Sequence, residues 1–223
     1  MNKEAGGKHD KTCSGPCIGR GGEPDTLVFD RDGRVRGRVL SDDEEICGIR
    51  CMAGSWVWWY KSGTLSSFVP VDDIFFDGVP CSRGARIHLH EKGRLMRCHL
   101  PKNSIVKGIP VRSDTFLLFH ENGMLSACRL AGDLVLQSVP CKGGCWIGFH
   151  EDGSLKRCVA SLDIFMQGIT IRAGSWVSFQ KSGLIDTYKL TEDTVVQGTE
   201  CFSGDILLFD ERGSLAEKIP APF

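Results

Sequence analysis

Seven glycines, Gly33, Gly63, Gly93, Gly123, Gly153, Gly183 and Gly213, stand 30 residues apart with no insertion or deletion between them. Around each lies a variant of one segment, seen most fully as Phe119-His120-Glu121-Asn122-Gly123-Met124-Leu125. A fixed period of this length is the mark of a repeat architecture, in which one supersecondary unit buries its apolar face against the next. Whatever one copy folds into, its neighbours must fold into as well, in the same register.

Each copy carries three short apolar stretches, which in the copy around Gly123 run Phe116 to Phe119, Met124 to Leu130 and Leu134 to Cys141. Apolar and polar residues alternate in them, so the class is all-β. Turn chemistry separates the stretches. The glycine of Glu121-Asn122-Gly123 takes a positive φ without steric cost. The series Asp43, Asp73, Asn103, Asp133, Asp163 and Asp193 supplies residues that bond turn backbone. Gly54, Gly84, Asp114, Gly144, Gly174 and Gly204 mark a third bend, and the series Gly48, Gly78, Gly108, Ser138, Gly168 and Gly198 predicts a bulge or tight bend inside the third strand. Three ladders read as core: Phe29, Trp59, Leu89, Phe119, Phe149, Phe179 and Phe209; Val35 through Leu215 at the same interval; and Ile49, Val79, Ile109, Val139 and Ile169.

Two architectures accommodate three strands per copy. One is a β-solenoid of about six to seven repeats, with equivalent residues such as Phe119, Phe149 and Phe179 stacked about 4.8 Å apart. The other is a single-layer antiparallel β-meander. The unbroken spacing favours the solenoid, because a meander tolerates loops of unequal length. Residues 1–22 are polar and glycine-rich and read as a flexible leader, and 23–223 as a single β-repeat domain. Pro220 and Pro222 cannot donate to a ladder and read as its cap.

The chain has 223 residues, 25% of them charged, and a net charge of -1, a balance that disfavours nonspecific nucleic-acid or anionic-membrane binding. Neither a membrane-spanning apolar run nor a secretory signal is present in the sequence, so the expected address is cytoplasmic. Eleven cysteines suggest a disulfide framework until they are set on the repeat. Cys51, Cys81, Cys141 and Cys201 alternate with Val111 and Ile171 at one position; Cys98, Cys128 and Cys158 alternate with Phe68 and Tyr188 at another. Thiols that replace apolar residues behave as small buried hydrophobes, so they are expected to be reduced. Cys13 and Cys17, in the leader, are expected to react quickly.

The unit Phe149-His150-Glu151-Asp152-Gly153-Ser154-Leu155 and its copies resemble bacterial repeat proteins related to the membrane occupation and recognition nexus (MORN) repeats, including proteins described as antitoxins. The resemblance covers residues 27 to 215 and implies a bacterial scaffold with a protein partner, a toxin to be neutralised being one version; it brings no catalytic residue. A binding site in a repeat protein should show as a departure from the repeat. Trp58 and Tyr60 alternate with the core residues Val57 and Trp59, and Arg86, His88, His90 and His99 make the following copy unusually basic. Trp58, Tyr60, Arg86, His88 and His90 are therefore the candidate surface. His90, His120 and His150 share one repeat position and form a candidate metal ladder, the bland reading being a hydrophilic turn, since Asp30, Tyr60, Gln180 and Asp210 stand there too. Acids such as Asp72 and Asp73 fall in repeat turns, and none of the common catalytic motifs occurs. The expectation is a non-enzymatic interaction module without a cofactor, with a metal- or carbohydrate-binding protein as the alternative.

Overall fold

In the computed structural model residues 27–221 are described, and among them every regular element is a strand. The described part contains no helix long and apolar enough to cross a membrane. The leader, with Cys13 and Cys17, lies outside the described residues.

Each repeat holds four strands where the sequence suggested three. In the copy around Gly123 they are Phe116–Phe119, Leu125–Arg129, Leu134–Leu136 and Val139–Cys141. The stretch read as one strand from Leu134 to Cys141 is a hairpin, closed by Gln137 at φ 49° and Ser138 at φ 67°. Two consecutive residues with positive φ make a type I′ turn, whose twist matches that of the flanking strands. The same turn recurs at Cys47-Gly48, Asp77-Gly78, Lys107-Gly108, Gln167-Gly168 and Gln197-Gly198. The glycine series thus marks a tight bend that reverses the chain between two strands, not a bulge within one.

The chain groups into two compact units, residues 27–101 with 121–123, and residues 102–120 with 124–221. In the first, the strands Leu27–Phe29, Val35–Val39, Trp56–Trp59, Leu65–Phe68, Ile87–Leu89 and Leu95–His99 follow one another in an antiparallel sheet. In the second the sheet runs Phe116–Phe119, Leu125–Arg129, Trp146–Phe149, Leu155–Val159, Trp176–Phe179, Ile185–Lys189, Ile206–Phe209 and Leu215–Ile219. Each repeat therefore gives two strands to the sheet and two to a separate hairpin. This corrects the expected stacking: Leu125–Arg129 lies between the strands of Phe119 and Phe149, and Leu155–Val159 between those of Phe149 and Phe179. Equivalent strands stand two apart, at about 10 Å.

The core lies between the inner sheet face and the hairpins. Trp59, Leu65 and Phe68 from the sheet and Phe76, Val79 and Cys81 from a hairpin are all buried, and the Phe68 and Phe76 rings are 6.2 Å apart. At the N-terminal end of the ladders Phe29 is 53% exposed, and Arg38 takes the place of Phe68 and Cys98. Its buried guanidinium is held by Glu44 at 2.5 Å, which offsets the cost of removing the charge from water.

Side chains with fixed offsets join the hairpins to the sheet. Asp43, Asp73, Asn103, Asp133, Asp163 and Asp193 each accept, at 2.7–2.9 Å, the backbone N–H ten residues on, from Ala53 through Ser203. The bond spans the whole hairpin, where the sequence suggested only a local turn contact. The turn residues Asp77, Gln137, Gln167 and Gln197 accept the N–H of Leu95, Leu155, Ile185 and Leu215, eighteen residues on. Backbone bonds from Met52 to Val69, Ser82 to His99, Arg112 to Arg129 and Lys142 to Val159 add an offset of seventeen. A one-residue insertion would break all of these at once, which is the physical reason for the constant period.

The thiols follow the same geometry. Cys128 and Cys158 are not on neighbouring strands; the contacts instead join hairpin to sheet, Cys81 to Cys98 and Cys141 to Cys158. In each pair one thiol is hydrogen-bonded to the other, so the loss of one proton holds its partner's far above the usual thiol range. Burial pushes Cys51 and Cys128 up to about 12. Eight described cysteines are free, the seven of the two repeat series among them, whereas Cys47, which belongs to neither series, is disulfide-bonded.

Three outcomes are expected. Asp133→Ala should lower unfolding stability by roughly 1 kcal/mol in urea titration, while Asp133→Asn should preserve most of it because Asn103 makes the same bond. In Asp163 the backbone bond from Ala173 and the Arg172 guanidinium hold the carboxyl below its ordinary 3.8. A lowered folded pKa stabilises the fold above the ordinary value and is lost as pH falls through the lowered one, so Asp163→Asn should flatten the acid limb below about pH 4. Third, native alkylation of Cys128 should run far slower than that of an ordinary thiol, because burial both disfavours its thiolate and blocks access to it. Rapid native labelling, read by mass spectrometry, would contradict its burial.

Candidate functional site

On the first unit's sheet, alternation sends Val57 and Trp59 to the core and Trp56 and Trp58 to the outer face, where their rings stack at 5.1 Å and 22°. Trp58 lies over Gly37, where an added Cβ would meet the ring at 2.6 Å, so only glycine admits it. Cross-strand register then places Trp58 opposite Ser67, Ser67 opposite His88, and His88 opposite Arg97. Arg86 reaches back across this face, donating from Nη1 to the Trp56 carbonyl at 2.8 Å and to Ser67 Oγ at 3.2 Å.

Three of the expected surface residues, Trp58, Arg86 and His88, thus share one face. Arg97 joins them and was not singled out by sequence, because its repeat position holds residues as different as Ser67, Ala127 and Glu217. Burial, then Arg97, then Arg86 lower the His88 pKa; burial and Arg97 lower that of His99; burial lowers that of Arg86. The charges that His88 meets are cationic.

Tyr60 and the histidine series sit instead at the end of the sheet, in the glycine turns. Tyr60 Oη donates to the Leu89 carbonyl at 2.6 Å; His120 Nε2 contacts the Phe149 carbonyl at 3.0 Å, and His150 Nε2 the Phe179 carbonyl at 2.9 Å. Gln180 Nε2 donates to Phe209 and Asp210 carbonyls at 3.3 and 2.7 Å. A carbonyl can only accept, so Nε2 of His120 and His150 carries hydrogen and has no lone pair for a metal. His90 occupies the same turn position. Among the described residues no group of three or more His, Cys, Asp or Glu is arranged to hold a metal ion. Tyr60, His120, His150 and Gln180 thus join one repeat to the next, each bonding the carbonyl 29 residues on.

A second surface lies on the hairpins. Glu45, Phe75, Ile105, Val135, Phe165 and Val195 occupy the middle of the third strand, pointing away from the core that their neighbours enter. Phe75 is 73% exposed, Ile105 76%, Val135 66%, Phe165 75% and Val195 61%. Their cross-strand partners are Pro80, Pro110, Pro140, Thr170 and Glu200, while Glu45 faces Arg50. In the second unit this makes an apolar row over four successive hairpins, whose last member, Val195, faces the polar Glu200. The sequence carries a signal for it, a bulky apolar residue recurring at the position of Val135, four residues before the core position of Val139.

On the outer sheet face of the second unit, Trp146 and Trp176 are also part-exposed, and Phe116 packs against Trp146 with ring centroids 5.2 Å apart. A shallow groove of about 300 Å³ beside Trp176 is lined by His150, Arg157, Gln180 and Asp186 among others. In comparisons with known proteins, no protein-family model matches the chain, and no curated protein matches it significantly.

Proposed function

We propose that this chain is a non-enzymatic repeat scaffold that binds another protein through the hairpin ridge. The observation that carries the reading is the apolar residue exposed at one position in five successive hairpins, Phe75, Ile105, Val135, Phe165 and Val195. None of these side chains supports the core, and an exposed apolar row rimmed by polar residues is the usual anatomy of an interaction surface. Burying the four members in the second unit is worth roughly 6–12 kcal/mol. Association costs of about 4–15 kcal/mol set that against a reversible complex completed by polar rim contacts. In this reading each 30-residue unit plays the part of a solenoid coil, restoring the same surface at every turn. The resemblance to MORN-like repeats agrees with a protein partner, and a toxin is the version it would add.

A carbohydrate-binding reading draws on a different observation, the part-exposed Trp146 and Trp176 and the groove beside Trp176. The two separate by mutation. Val135→Ser with Phe165→Ser should leave stability within about 0.5 kcal/mol, since both side chains are exposed. The double variant should lose the proteins that the wild-type full chain captures and crosslinks from its own cell extract. Unchanged capture, or capture lost only on Trp176→Ala, would overturn the ridge as the binding surface.

A further inference from the structure

We propose that the outer sheet face of the first unit binds a phosphate-type oxyanion between Arg86, His88, Arg97 and His99, beside the stacked Trp56 and Trp58. His88 and Arg97 are direct cross-strand partners, so their Cβ atoms stand about 5 Å apart. Arg86, the residue just before the strand Ile87–Leu89, and His99, the last of Leu95–His99, each stand two residues from that pair at the same end. All four side chains are half-buried. The elements against the His88 strand are Leu65–Phe68, which turns the neutral Ser67 toward it, and Leu95–His99, which brings Arg97 and His99.

The fold does not require this arrangement. At the position of Arg86 other copies carry Trp56, Phe116, Trp146, Trp176 and Ile206, and at that of His88 they carry Trp58, Leu118, Gly148, Ser178 and Leu208. Like charges placed opposite one another on a sheet oppose folding. The two bonds of Arg86 go to neutral oxygens, a carbonyl and a hydroxyl, and leave its charge uncompensated by them. An oxyanion would meet two guanidinium groups and two imidazoles on one face. Guanidinium groups match the geometry of phosphate and sulfate oxygens, the imidazoles add donors, and the tryptophan pair forms an apolar wall that limits competing water. Bound anion favours the charged imidazole, so binding should tighten as pH falls through the range where His88 and His99 gain protons.

The experiment is a ¹H–¹³C NMR titration of the full chain's histidine rings with sodium sulfate, a dianion across the working range, against sodium chloride at matched ionic strength. His88 and His99 should shift saturably in sulfate alone, and their titration midpoints should rise by about half a pH unit or more. His120 and His150, held at the turns, should not move. Arg97→Gln should weaken sulfate about tenfold. Should that variant fail to fold, Arg86→Trp installs the residue carried by equivalent copies and should abolish the saturable shift with the fold intact. Phenyl phosphate and inorganic phosphate then distinguish the source: tighter phenyl phosphate with tryptophan quenching supports a phosphorylated ligand lying on the rings, and tighter inorganic phosphate supports a free anion. Equal shifts in sulfate and chloride, no saturation, or parallel movement of His120 and His150 would overturn the site.

Discussion

The carboxylate or amide that closes each hairpin, from Asp133 to the Gly143 amide and its five equivalents, is the interaction on which the repeat depends. A hairpin of two three-residue strands is marginal by itself in water. The bond fixes its open end, and the turn side chain of Gln137 or its equivalent ties the other end to the next repeat's first inner-face leucine or isoleucine. With both ends held, Val139 and Cys141 are presented to the sheet and buried. The offsets of ten, seventeen, eighteen and twenty-nine residues leave no room for a loop to lengthen.

Much of this was legible in the sequence. The period, the glycine turns, the acidic series and the inward aromatic and leucine positions followed from residues alone, because each is a local requirement repeated many times. The fourth strand did not. Its turn places Gln137 and Ser138 in a conformation that glycine adopts most easily, and the signal of a non-glycine residue followed by glycine, as in Asp77-Gly78, was taken as an irregularity within one strand. One correction follows from that step: equivalent residues such as Phe119 and Phe149, expected on neighbouring strands, stand two strands apart because each repeat gives the sheet two strands.

The candidate surface was legible in part for a similar reason. Trp58, Arg86 and His88 are departures from the repeat and were visible as such, and strand alternation brings them onto one face. Tyr60 and the histidine series are conforming positions whose polar character serves the bond to the next repeat. The hairpin ridge is the reverse case, a surface that conforms to the repeat in full, so a search for departures passes over it. A regular ridge and an irregular cationic patch suit different ligands, one extended and apolar, the other small and charged.

The account stands on the hairpins being locked to the sheet through fixed-offset bonds, and native-state hydrogen exchange read amide by amide tests it most directly. Within each unit, the amides of Arg83, Gly143 and Ala173, which donate to Asp73, Asp133 and Asp163, should exchange with the same opening free energy as sheet amides of that unit. Exchange of these amides at the rate of free loops, with the sheet still protected, would show that the hairpins open independently and would contradict the account.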